Sequence, residues 1–217
     1  MDVTTFTPSS ALLTVIVLGL APFVVVMVTS FAKIVVVLSL LRNALGVQQI
    51  PPNLVLNGLA MVLTIYVMYP VGERMIEAAG GLDDALEDTE QLVRAVDLAK
   101  EPLREFMIEH AEAPEREFFL DTIREVADED RRESFSAEHF VVVLPAFTVS
   151  ELTDAFQIGF LIFLPFIVID LVISNILMAM GMMMLSPTIV SLPFKLLLFV
   201  LVDGWIKLSH GLVLSYA

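Results

Sequence analysis

The chain has 217 residues, 57% of them hydrophobic, with no cysteine and a formal net charge of −14. Its mean hydropathy of +0.84 is too high for an ordinary soluble domain. The lack of cysteine excludes a disulfide framework, thiolate chemistry and a zinc–thiolate site. The acidic balance argues against nucleic acid as a partner, because phosphate binding draws on Lys and Arg.

The charge is unevenly placed. Residues 73–138 hold 21 acids and 8 bases, and the rest of the chain holds 5 acids and 4 bases. The pattern predicts an N-terminal hydrophobic helical hairpin over 1–72, an acidic, helical, water-soluble domain over 73–139, and a C-terminal hydrophobic helical hairpin over 140–217. The opening "MDVTTFTPSS" has an acid and no base before the apolar run. A cleaved signal usually opens with positive charge, so the first apolar stretch is expected to be retained.

The first apolar block, Ala11–Leu41, has Lys33 as its only charge. As one helix it would reach roughly 46 Å, more than the roughly 30 Å hydrocarbon core. Pro22 predicts a kink or break within it. "RNALGVQQIPPN" (42–53) is a turn, with Gly46, Pro51 and Pro52 as breakers. Arg42, Gln48 and Gln49 are its polar members. The second block covers 54–71 and is expected to end at Pro70 and Gly72.

In the acidic segment, Leu92, Val96, Leu103, Phe106 and Met107 recur at helical spacing, with Pro102 expected to split or kink the helix. A further helix carries Phe119, Ile123 and Val126 on one side. The chain turns apolar again at Phe140. "TVSE" (148–151) has capping-box spacing and predicts a helix start there. Residues 155–185 then carry one charge, Asp170. The last block, 189–216, contains Pro193, Lys195, Asp203 and Lys207. Arg42 and Lys195 place both hairpin turns in the cytoplasm and the acidic segment outside.

Charges in apolar segments need a partner or a water-facing position. Asp203 and Lys207, four apart, can satisfy each other. Lys33 and Asp170 lack a local partner, and Lys33 can meet Asp170 or Asp203 within the chain or across subunits, or extend to the membrane surface. Prolines inside apolar runs are tolerated in lipid only where protein or water satisfies the freed backbone.

"AMGMMMLSP" (179–187) puts Met182, Met183 and Met184 between Gly181 and Pro187. Consecutive residues on a helix point about 100° apart, so a tight turn between two helices is expected. The plain reading is a lipid-facing or core-filling loop. The alternative is that several copies meet around an axis. Methionine then forms a deformable apolar constriction that stops ions by dewetting.

No phosphate loop, His-ligand spacing or nucleophile elbow is present. His110 and His139 are expected to be solvated, and the carboxylates to be ordinary surface charge. The sequence gives no support for an enzyme, a metal site or a cofactor.

Four segments carry a resemblance: "SFAKIVVVLSLLRNALGVQQIPPNLVLNGLA" (30–60), "PLREFM" (102–107), "PAFTVSELTDAFQIGFLIFLPFIVIDLVISNILMAMGMMMLSP" (145–187) and "LPFKLLLFVLVDGW" (192–205). They resemble the R component of type III secretion systems, the SctR family, whose flagellar counterpart is FliP. Val47 and Ile50 stand where the flagellar branch more often has Thr, which favours the injectisome branch. The resemblance implies an all-α, membrane-associated protein of broken helical hairpins. It implies a homopentameric ring joined by S and T subunits, with U and V nearby. Unfolded substrates and inner rod or needle proteins would pass through it. It also implies a gate with much of its mass lifted out of the bilayer plane, toward the periplasm. The family's methionine gasket falls on Met182, Met183 and Met184. Its intersubunit charge contacts are assigned to Lys33, Asp170, Asp203 and Lys207. Two rival readings stand beside it: a secondary transporter using Asp170 and Lys33 at a midplane site, and a membrane scaffold with no conduit.

Overall fold

A computed structural model describes residues 8–47, 49–80, 89–182 and 184–217. The described residues form helices and no strand: α1 (Pro8–Val28), α2 (Phe31–Leu45), α3 (Asn53–Ala78), α4 (Thr89–His110), α5 (Ala113–Val126), a 3-10 segment (Glu129–Ser134), α6 (Phe140–Ala179), α7 (Pro187–Leu201) and α8 (Gly204–Leu214).

The chain does not break where its prolines stand. Helix α1 continues through Pro22, α3 through Pro70, α4 through Pro102, α6 through Pro145 and Pro165, and α7 through Pro193. Each proline removes one donor, and the neighbouring turns keep the helix. The sharp bends lie elsewhere. The end of α1 meets α2 at 81°, across Thr29 and Ser30. There the Thr29 hydroxyl donates to Val25 O (2.8 Å) and accepts from the Phe31 amide (3.4 Å), which substitutes for lost helix bonds. Helices α7 and α8 meet at 61°, at Val202–Asp203, where Asp203 adopts a left-handed φ of 53°.

The helix predicted to start at Thr148 instead starts at Phe140, capped by His139, and runs for 40 residues. The Thr148 hydroxyl bonds back to Leu144 O within that helix. At about 1.5 Å per residue α6 is about 60 Å long, roughly twice the hydrocarbon core. Helices α3 and α6 are each long and apolar enough to cross a membrane, and two bent pairs, Pro22–Val28 of α1 with α2 and α7 with α8, pass the same test when taken together.

Helix α2 packs most extensively on α6. The approach is close at Gly159, where an added Cβ would lie 2.2 Å from Leu40 Cδ1 and 3.2 Å from Leu40 Cβ. Around this seam lie Ile34, Val37, Leu38, Leu56, Ala60, Ala155 and Leu212. A second cluster joins the acidic segment to the hairpins: Phe106, Met107 and Ala111 pack with Val67, Val71, Val143, Ala146 and Phe147. The Glu112 amide donates to the buried Ser150 hydroxyl on α6 (2.9 Å). Helix α5 has no buried residue, and Val126, expected on its apolar side, is 77% exposed.

Candidate functional site

The methionine turn links α6 to α7. Gly181 adopts φ +70°, a conformation that costs glycine little because it has no Cβ. The Met182 amide then reaches back to Leu177 O (2.9 Å), which satisfies a carbonyl at the helix end. Pro187 opens α7 at its first turn, where its missing donor costs nothing. Met182 is 40% exposed and Met184 fully exposed. Met183 lies outside the described residues. The turn ends a helix half that is largely uncovered: Phe160, Leu161, Leu164, Ile167, Val168, Leu171 and Val172 are all exposed. Such a surface marks a lipid or protein contact rather than a free face in water.

Two lysines are buried, and each is paired within the chain. Lys33 does not meet Asp170 or Asp203. Its Nζ lies 2.9 Å from Glu151 Oε1 and 2.9 Å from Asp154 Oδ2. Lys33 is 2% exposed, Glu151 fully buried and Asp154 36% exposed. The contact to Glu151 is a charge contact rather than an aligned hydrogen bond. The Tyr216 hydroxyl donates to Glu151 Oε2, and the Lys33 ammonium sits 4.4 Å from the Tyr216 ring centre. Burial, followed by the Glu151 charge, pushes the Tyr216 phenol far above its ordinary range, so it remains a donor. Tyr216 also stacks on Phe106 (6.0 Å) and lies near the His110 ring (5.1 Å). His110, expected to be solvated, is half-buried in this group, with Nδ1 2.8 Å from Phe106 O.

The second site joins α6 to α7. Lys195 Nζ donates to Asp170 Oδ2 (2.7 Å) and to Ala44 O (3.2 Å), and the Ser191 hydroxyl donates to Asp170 Oδ1 (2.5 Å). Asp203 and Lys207 form no ion pair. Both are exposed, and Asp203 stands as the left-handed N-cap of α8 rather than within a helix. Their only link is Lys207 N–H to Asp203 O (3.1 Å).

The turn after α2 is clamped by Arg42. Its Nη1 donates to Asn53 Oδ1 (2.5 Å) and Pro51 O (3.4 Å), bridging both ends of the turn. Gly46 caps α2 with φ 75°, Gln49 has φ 66°, and the Ile50–Pro51 bond is cis before Pro52 leads into α3. Gln48 lies outside the described residues.

Sequence reasoning missed Glu151 and Asp154. Glu151 looked like a cap residue, which hid it as a counter-ion. The available signal was scarcity: outside the acidic segment the chain has only five acids to neutralise a buried lysine.

Comparison with known proteins now fits this geometry. The model of the FliP family matches residues 12–212. The chain is 54% identical over 199 residues to "Yop proteins translocation protein R" of Yersinia pestis, covering 92% of each chain. It is 47% identical over 210 residues to "Hypersensitivity response secretion protein HrcR" of Ralstonia nicotianae, covering 96% of this chain and 97% of that one. It is also 47% identical to "Flagellar biosynthetic protein FliP" of Caulobacter vibrioides, covering 92% of this chain and 73% of that protein. This chain, with its broken apolar hairpins, belongs to the FliP family.

Proposed function

We propose that the chain is the R component of a type III secretion export apparatus, of the injectisome branch, and forms the pore of the export gate. Its relatives carry secretion and translocation names, and its apolar helices make it an inner-membrane protein working within a membrane complex. In this reading five copies surround one axis, S and T subunits complete the cone, and U and V stand nearby. Unfolded secreted proteins, among them inner rod or needle proteins, pass along that axis. The acidic segment, 73–139, lies on the periplasmic side, and the 40-residue α6 carries part of the assembly out of the bilayer plane.

The observation that carries the reading is the methionine turn. Soft apolar side chains, with Met184 fully exposed, tip a helical hairpin whose own surface is largely uncovered. Methionine adapts its shape, so a ring of such turns can dewet and stop ions, then deform around a polypeptide. The chain's own residues offer a gate and a conduit, with energy supplied elsewhere.

The test is native mass spectrometry of the full chain from detergent, expressed with and without its S and T subunits. A five-copy assembly that adds those partners is expected. A stable monomer that ignores them would contradict the ring.

A further inference from the structure

A cleft of about 800 Å³ lies between the turn after α2 and the start of α7. Arg42, Asn43, Gln49 and Asn53 line one side, and Thr188 lines the other. No carboxylate lines it, although the chain has 26 acids against 12 Lys and Arg. Arg42 has only neutral partners, Asn53 Oδ1 and Pro51 O, and no carboxylate lies within ion-pair distance among the described residues. No carboxylate therefore neutralises its charge there, although Arg42 lies in the last turn of α2, whose carbonyl end carries partial negative charge. Asn43, Gln49 and Asn53 carry amide donors, and Thr188 adds a hydroxyl. Helices α3 and α7 both begin at this cleft; Pro187 has no N–H and the Val55 and Ile189 amides bond Pro52 O and Ser186 O, which leaves the Asn53, Leu54 and Thr188 amides to add partial positive charge.

The rim is of the opposite character. Ile50 is 69% exposed, Leu54 84% and Ile189 75%. Each is next in sequence to a residue lining the cleft. Beyond them the apolar faces of α3 and α7 continue through Val55, Met61, Leu197 and Val200, all exposed. A cationic, donor-rich cleft edged by bare aliphatic side chains suits a molecule with an anionic head and apolar tails.

We propose that this cleft binds the phosphodiester headgroup of an anionic membrane lipid. Arg42 supplies the charge-assisted contact, Thr188 closes the opposite wall, and the acyl chains lie along α3 and α7. The shared chemistry is a phosphate oxyanion, and the apolar rim selects lipid over free phosphate. The export role proposed above does not depend on this site.

The test uses the full chain, delipidated in an uncharged detergent and offered phosphatidylglycerol, phosphatidylcholine or glycerol phosphate, with bound mass read by native mass spectrometry. Preferential retention of phosphatidylglycerol is expected. Arg42→Gln should weaken it about tenfold, the loss of one charge-assisted contact. Because Arg42 also clamps the turn, Thr188→Val serves as the second variant: it leaves that clamp intact and should weaken retention about fivefold. Circular dichroism checks that helicity is unchanged. Equal retention of the two lipids, or undiminished retention in Thr188→Val, would overturn the site. Glycerol phosphate binding as tightly as phosphatidylglycerol would overturn the membrane source.

Discussion

The two halves of α6 contrast sharply. Its N-terminal half buries Val142, Val143, Ala146, Phe147, Ser150, Glu151, Ala155 and Gly159 against the rest of the chain. Its C-terminal half buries only Phe166 and Leu177 and ends at the exposed methionine turn. The first half behaves as the interior of a single protein, complete with a neutralised lysine. The second half is more apolar still, yet within the chain it is covered only along a narrow stripe, where Phe166 packs with Leu41, Leu45 and Phe199 and Asp170 meets Lys195. Apolar sequence therefore serves two purposes on one helix: folding of the protomer, and contact with something outside it.

The largest expected effect comes from breaking the buried half. Glu151→Ala leaves Lys33 charged and buried, with only the half-exposed Asp154 opposite it. Removing one partner of a buried pair costs about 3–5 kcal/mol. Thermal unfolding in detergent should show a large drop, or the protein should fail to accumulate. The double variant Lys33→Met with Glu151→Leu should recover much of that loss, because it removes both charges.

Gly159→Val tests the seam itself. Its Cβ would sit 2.2 Å from Leu40 Cδ1 and 3.2 Å from Leu40 Cβ, so the Leu40 side chain must move and the seam must give slightly. Overpacking of this kind costs about 1–3 kcal/mol. Adding Leu40→Ala should return part of the loss in the same unfolding measurement, whereas an equal loss in the double variant would place the strain elsewhere.

Substitutions in the bare half sharpen the contrast by their mildness. Leu164→Ala and Leu171→Ala should change protomer stability by no more than about 0.5 kcal/mol, as at exposed positions generally. They should nevertheless reduce the yield of higher assembly on native gels. A large drop in protomer stability would mean this face is covered within the chain. The smallest effect on stability is expected from Met182→Ala with Met184→Ala, at exposed turn positions. Assembly should persist while cells leak small ions, measured as conductance or solute uptake. Unchanged permeability in an assembled complex would count against a methionine constriction.

Much of this contrast is legible in the sequence, and the rest is not for physical reasons. Apolar blocks, the helices of the acidic segment and the turn at Gly181–Pro187 follow from local pattern. Bends do not, because proline removes one donor and a helix can absorb that loss. The real breaks sit at Thr29–Ser30 and Asp203, where side-chain hydrogen bonds and a left-handed backbone end the helix. Ion-pair partners are also hidden, since Lys33 finds Glu151 and Asp154 across more than a hundred residues. Tyr216, the next-to-last residue of the sequence, completes that site for the same reason. Local spacing instead favoured Asp203–Lys207, but Asp203 stands at the cap of α8 and the two side chains form no ion pair.

In the export-gate reading proposed above, the methionine turns of several copies converge on one axis. The chain has no cysteine, so a single Met184→Cys introduces a unique thiol. Crosslinking that thiol within the assembled complex, with Leu98→Cys on the exposed surface of α4 as control, is the most direct measurement. Efficient crosslinks between copies are expected through Met184→Cys and none through Leu98→Cys. Monomers alone after oxidation of Met184→Cys, in a complex shown to be assembled, would contradict it.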